Sequence, residues 1–102
     1  MQAPEARWVR VNDAAQWDGW LCTFAAPHVL QSWAWGVLKS RWGWSVERWA
    51  LIADDAPRAC VQLLRRNAKP LPFCVLYAPK GPLARDAQAY AAALAWLEAR
   101  AR

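Results

Sequence analysis

The period of apolar and polar residues changes several times along the chain, and each change marks an element. From Trp8 to Val11 apolar and basic residues alternate, as in a half-buried strand. Trp17, Leu21 and Phe24 then recur at helical spacing, which predicts a helix capped by Asn12 or Asp13, weakened by Gly19, running to about Ala25 and ended by Pro27. A second helix is predicted from an N-cap at Ser32 to Gly43, the residue suited to a left-handed close. Trp35, Leu38 and Trp42 fall on one face of it. Lys39 follows Trp35 by four residues and precedes Trp42 by three, so its side chain emerges beside both rings.

After Trp44 the period becomes extended. Val46 to Ala53 reads as a strand, Asp54 to Pro57 as a turn and Arg58 to Arg66 as the returning strand of a hairpin. Asn67 to Pro72 is a loop. Phe73 to Ala78 is apolar on both faces, the pattern of a central strand covered on each side, and Pro79 and Pro82 stop it. Asp86 opens a last helix with Tyr90, Leu94, Leu97 and Ala101 on its buried stripe, and Arg100 and Arg102 suit its negative end.

The order β-α-α-β-β-β-α defines an α/β (α+β) domain spanning 1–102, with residues 1–6 expected to be disordered. A strand covered on both faces needs neighbours on both edges, and the hairpin supplies one. The last helix would bring the chain back to the other edge as a parallel strand through a right-handed crossover. The expectation is therefore a mixed sheet with an incomplete edge, the N-terminal portion of a longer architecture. The alternatives are a complete small domain whose first strand fills the gap, or a homodimer joined through the open edge.

Composition places the chain among globular proteins: 57% of its 102 residues are hydrophobic and nine are tryptophan. A net charge of +5 and a pI near 9.6 suit an anionic partner (nucleic acid, a phosphorylated small molecule or a lipid headgroup) or simply a solvated arginine-rich surface. Cys22, Cys60 and Cys74 have neither disulfide-framework nor zinc-ligand spacing and read as reduced, mostly buried thiols of a cytoplasmic protein. The N-terminus lacks an apolar signal segment, and no run reaches the roughly 18 apolar residues of a membrane span.

Candidate chemistry is sparse. His28 stands beside Pro27 with no nucleophile-elbow Ser or Cys to serve, so it reads as a loop or capping residue. Asp54 and Asp55 are explained by a tight turn. No glycine-rich nucleotide cradle is present. Two constellations remain. In the first, Lys39 with Trp35 and Trp42, near Arg41 and Trp44, can neutralise a phosphate while an indole stacks on a base or sugar; the same residues also fit a core stripe with Lys39 at its rim. The second is the segment from Tyr77 to Leu83, where Lys80, Gly81 and the amides of the following helix offer positive potential at a strand's carboxyl end, or where the prolines merely rigidify a turn.

The runs HVLQSWAWGVLKSRWGWSVERWAL, QLLRR and LYAPKGPLA strongly resemble the N-terminal portion of the Fem-type (FemABX) peptidoglycan-bridge aminoacyltransferases, over most of positions 7 to 98. Gln-Ser followed by Trp, Lys-x-x-Trp at Lys39 and Trp42, and Lys-Gly-Pro at Lys80 to Pro82 carry the resemblance. It implies a GNAT-like domain, and the predicted element order matches that domain's first half. It also implies transfer of an aminoacyl group from aminoacyl-tRNA to the stem peptide of a cell-wall precursor, lipid II or a nucleotide-linked muropeptide. No cofactor is implied beyond the charged tRNA donor, no metal, and peripheral rather than integral association with the inner face of the membrane. Lys39 would contact the precursor's diphosphate and Trp42 its nucleotide or sugar end, with Trp35, Lys80 and Gly81 also lining the substrate site; no catalytic residue is assigned. Family members are several times longer, so much of the pocket is expected outside these 102 residues.

Two other functions compete. A GNAT-type N-acyltransferase using acyl-CoA fits the fold, although APKGPLARD lacks the expected glycine-rich pyrophosphate turn. A basic, tryptophan-rich single-stranded nucleic-acid-binding domain fits the composition and requires exposed indoles.

Overall fold

A computed structural model describes residues 6–67, 70, 72 and 74–101. Its elements are β1 (Arg7–Arg10), α1 (Ala14–Leu21), a 3-10 turn (Val29–Gln31), α2 (Trp33–Ser40), β2 (Ser45–Ala53), β3 (Ala56–Asn67), β4 (Cys74–Tyr77), β5 (Leu83–Ala84) and α3 (Ala87–Arg100). The strands form one sheet in the order β1-β2-β3-β4, with β5 pairing further along β3. Every pairing is antiparallel, where a mixed sheet was expected.

The β2–β3 hairpin organises the sheet. Its loop is the two residues Asp54 and Asp55, with φ of 53° and 61°. Two successive positive φ values give a turn whose twist matches that of the strands, and the short polar Asp side chains tolerate it. The turn is thus tighter than the predicted four residues, and Ala56 and Pro57 join β3. Register shifts between Leu51 and Ile52, which pair with Ala59 and Pro57, so Arg58 is the extra residue of a bulge.

Alternation along β2 and β3 sorts their side chains onto two faces. On one, Ala50, Ile52 and Cys60 pack against Val11, Trp17, Leu21 and Phe24, beneath α1 and α2. On the other, Leu51, Ala59 and Val61 pack against Ala93 of α3, flanked by Trp8, Trp96 and Leu97. Ala89 and Ala93 are the buried positions of α3, and their small side chains let the helix lie close to the sheet. The predicted stripe is rotated: Tyr90 and Leu94 are each 45% exposed, and Ala101 is also exposed.

β4 stands at the edge of the sheet, with the hairpin on one side as expected, but it is not covered on both faces. β4 occupies only Cys74–Tyr77 and pairs with β3 alone among the described residues, and its Val75 and Tyr77 are about half exposed. Phe73 lies outside the described residues, as do 1–5, within the segment expected to be disordered. The central position belongs to β3, whose run from Ala59 to Leu64 is entirely buried. Apolar residues on both faces are necessary for a doubly covered strand but do not distinguish it from a short edge strand.

The caps agree with the sequence. Asp13, Ser32 and Asp86 each accept from a first-turn amide of the helix they precede. α1 is shorter than predicted, because beyond Leu21 the chain tightens into turns in which Thr23 and Phe24 donate to the Trp20 and Leu21 carbonyls. All three cysteines are free, but Cys22 and Cys74 are exposed, so only Cys60 fits the expected burial; burial pushes its thiol up to about 12 against the opposing pull of Arg85. No described helix is long and apolar enough to cross a membrane.

Candidate functional site

The helix carrying Lys39 is seated on the sheet by polar groups. Alternation on β2 and β3 places Arg48 and Gln62 on the inner face opposite one another, in a series otherwise occupied by Val46, Ala50, Cys60 and Leu64. Arg48 is buried. Its Nε donates to Gln62 Oε1 at 2.8 Å, its Nη2 to the Trp33 carbonyl at 2.9 Å, and its guanidinium lies 3.6 Å from the Trp33 ring centroid. Burial lowers its pKa to about 10 against the opposing influence of Asp18, so the group remains charged at neutral pH.

Gly36 of α2 sits directly over this pair: a Cβ there would stand 2.3 Å from Arg48 Nη2 and 2.6 Å from Gln62 Oε1. Only a residue without a side chain lets the helix approach so closely. The same layer fixes the entry to α2. Gln62 Nε2 donates to the Leu30 carbonyl, the Trp17 indole to the Gln31 carbonyl, and Asp18 Oδ1 accepts from the Trp33 amide. Arg48, Gln62 and the buried Gln31 side chain did not emerge as a site from sequence. Their signal is a polar residue interrupting an apolar period-two series at facing positions of two strands.

At its other end α2 presents Lys39. The ammonium lies 5.6 Å from the Trp35 ring centroid and 5.6 Å from that of Trp44, inside the ~6 Å range of cation–aromatic attraction. Its partners are therefore Trp35 and Trp44, where the sequence pointed to Trp35 and Trp42. Gly43, with φ of +89°, turns the chain so that Trp44 comes back over the helix end, its amide donating to the Lys39 carbonyl. Arg66 of β3 approaches the Trp44 ring at 5.7 Å, and Tyr77 of β4 lies 6.5 Å from it.

The Trp35 indole N–H is buried and meets no acceptor among the described residues. A buried donor without a partner is costly. Trp42 is 69% exposed and Leu38 44%, so these two do not belong to a core stripe. Lys39 thus lies against Trp35 and Trp44, and Arg66 and Tyr77 gather on Trp44, so two cations and three rings share one cluster.

Lys80 and Gly81 lie elsewhere. The Ala78 carbonyl accepts from the Gly81 amide at 2.9 Å around Pro79 and Lys80, and Lys80 and Gly81 have φ of 61° and 66°. Proline followed by a positive φ is the arrangement of a type II turn. Pro79 and Pro82 are buried. Gln31 Nε2 reaches the Gly81 carbonyl at 3.2 Å, so this turn meets the start of α2, roughly 10 Å of helix rise from Lys39. The helix amides expected beside Lys80 are not there: β5 intervenes, and Asp86 takes the Ala89 amide at 2.8 Å. That hydrogen bond, together with Arg58, holds the Asp86 carboxyl below its usual range.

The remaining candidates are structural. His28 caps the 3-10 turn through Nδ1, which accepts from Leu30 at 3.1 Å, while its own amide donates to Gln31 Oε1. Asp54 and Asp55 make the hairpin turn. No group of three or more His, Cys, Asp or Glu able to hold a metal occurs among the described residues. A groove of about 380 Å³ lined by Leu51, Asp54, Arg58 and Gln88, and one of about 270 Å³ lined by Leu63, Leu76 and Leu97, both lie on the α3 side, away from Lys39.

No protein-family model, curated protein or solved structure matches the chain. The likeness to the Fem-type transferases accordingly rests on the sequence motifs alone.

Proposed function

We propose that the face formed by Lys39, Trp35 and Trp44 binds the phosphate-bearing part of a cell-wall precursor, and that the chain is part of a GNAT-like, Fem-type aminoacyltransferase. The observation that carries this reading is the ammonium held between two indole rings, with Arg66 against one of them and the buried, unpartnered Trp35 N–H beside it. Such a surface offers charge for a diphosphate and ring faces for a sugar or base. The order β1-β2-β3-β4, with α1 and α2 against one face and α3 against the other, is consistent with the first half of a GNAT-like domain.

In this function the precursor's amine nitrogen attacks the ester carbonyl of aminoacyl-tRNA. The tetrahedral intermediate collapses with the terminal ribose oxygen of the tRNA as leaving group. The ester is already activated, so the protein's tasks are alignment, removal of the ammonium proton and stabilisation of the oxyanion. Lys39 serves binding; no general base is assigned. Trp42, three residues after Lys39 and exposed, would cover the nucleotide or sugar end, and the Lys80–Gly81 turn borders the start of the same helix.

A second reading, binding of single-stranded nucleic acid, is favoured by the 69% exposure of Trp42. Calorimetric titration separates the two. A nucleotide-linked muropeptide is expected to bind saturably, Lys39→Ala to weaken it about tenfold or more, and Lys39→Arg to retain part of the affinity. Equal affinity in Lys39→Ala removes Lys39 from the site. Tighter binding of a single-stranded oligonucleotide than of the muropeptide, lost in Trp42→Ala, replaces the transferase reading by the second.

A further inference from the structure

We infer that the groove between the β2–β3 turn and the start of α3 binds a small zwitterion with an aliphatic body, of the class of the free aliphatic amino acids. The groove measures about 380 Å³, towards the small end of ligand sites. Its floor is apolar, with Leu51, Ala89 and Ala92, and around that floor stand Asp54, Arg58 and Gln88.

Three features of the backbone bring the polar groups together. Asp54 opens a turn in which both residues have positive φ, and Asp55 occupies the position where glycine would be easiest. Arg58 is the extra residue of the bulge that faces Leu51 and Ile52, and a bulge re-aims the side chain it carries. Gln88 lies in the first turn of α3, two residues after its cap. A carboxylate, a guanidinium and an amide thus surround one aliphatic surface.

Their charges select the ligand. Asp54 is exposed and enters no ion pair among the described residues, so it suits an ammonium group. Arg58 is held by Asp86 through Nη2 at 2.5 Å, which leaves the other N–H donors of its fork for a second carboxylate. The Gln88 amide can donate to the anion or accept from the cation. A simple amine would leave those Arg58 donors unused, and a simple anion would meet the negative charge of Asp54. No described aromatic residue lines the groove, so a flat base or a sugar would find no ring to stack on. The free carboxylate separates this ligand from the esterified aminoacyl donor of the proposed transfer. The groove shares no residue with the Lys39 face and stands if that function fails.

Titration of the chain with L-leucine, followed by NMR, tests the inference. Saturable shifts are expected at the Leu51 amide and the Gln88 side chain, with a Kd of about 1 mM or tighter and the Trp35 and Trp44 indoles unmoved. Leucine methyl ester, which lacks the anion, and 4-methylpentanoate, which lacks the ammonium, are each expected to bind at least about tenfold more weakly. Asp54→Asn removes the charge but keeps a residue that tolerates positive φ, and Arg58→Ala leaves the Asp86 cap on the Ala89 amide in place. Each substitution is expected to weaken leucine binding about tenfold with the fold retained. If Arg58→Ala does not fold, Asp54→Asn and the two analogues decide. Absence of saturation at about 20 mM leucine overturns the inference, as does affinity unchanged in both variants. It is equally overturned if the methyl ester binds as tightly as leucine, which makes the groove a site for amines, or if 4-methylpentanoate does, which makes it a site for carboxylates.

Discussion

The two sides of the sheet are covered by different physics. On the α3 side the contact is apolar: Ala89 and Ala93 bring the helix close, Trp96 stacks on Trp8 at 4.6 Å and meets Trp49 at 5.4 Å, and polar groups stay at the margin. On the α2 side the inner surface contains a buried guanidinium and two buried amide side chains, and the helix above them has a glycine where it touches. A face that only needed covering would be filled like the α3 side. Burying Arg48 contributes little net stability, because desolvation offsets the attraction, but directional bonds to Gln62 and Trp33 hold α2 in one position. The positioned face also carries Lys39 between Trp35 and Trp44; the α3 face has a cation between two rings as well, Arg100 at 5.1 Å from Trp49 and 5.6 Å from Trp96, but there the guanidinium is paired with Glu47. The difference separates a side that holds the fold together from one that holds a surface in place.

The largest expected effect is on the stabilising side. Trp96→Ala removes a ring shared by two tryptophan contacts and is expected to cost about 3 kcal/mol in denaturant unfolding. Muropeptide affinity of the folded fraction should be unchanged.

Gly36→Ala is expected to cost about 2 kcal/mol, since Arg48 or α2 must move to admit the methyl group. Here affinity should fall together with stability, because the helix bearing Lys39 is displaced. If Gly36→Ala reduced stability but spared affinity, the two sides would be equivalent and the comparison would break.

A smaller effect concerns pH. Burial alone would raise the Glu47 carboxyl, but the Trp49 indole and the Arg100 guanidinium outweigh it and hold the group below its usual value. A carboxyl depressed in the folded state adds stability above its unfolded pKa, and that contribution is lost as pH falls through its folded value. Melting temperature should therefore decline below about pH 5, and Glu47→Gln should flatten the decline. Affinity at the α2 side should not respond to this substitution.

Much of the fold was legible because its signals are local. Asp13, Ser32 and Asp86 announced helix starts by cap chemistry, and Gly43 announced its positive φ. What failed was the assignment of environment. Tyr90 and Leu94 have helical spacing but face solvent, because the small Ala89 and Ala93 permit closer packing on the neighbouring stripe. Leu38 and Trp42 misled in the same way: the periodicity of a helix identifies a face without saying what lies against it. Phe73 to Ala78 looked central because its residues are apolar, whereas position in the sheet was decided by the length of β3 and its two partners. At the candidate site, Lys39 and Trp35 were legible from helical spacing. Trp44 was legible as a neighbour but not as the second ring against Lys39, and Arg66 and Tyr77 were not legible there, since β3 and β4 bring them to it.

Tryptophan itself offers the most direct test. Of the nine indoles, Trp8, Trp49 and Trp96 lie on the α3 side, and Trp17, Trp20, Trp33, Trp35, Trp42 and Trp44 belong to the side of α1 and α2. Each indole N–H gives a separate NMR resonance during titration with a nucleotide-linked muropeptide. The account predicts saturable shifts at Trp35 and Trp44, accompanied by Trp42, with Trp8, Trp49 and Trp96 unmoved. Shifts confined to the latter three, or no shift at Trp35 and Trp44 at saturating ligand, would contradict it.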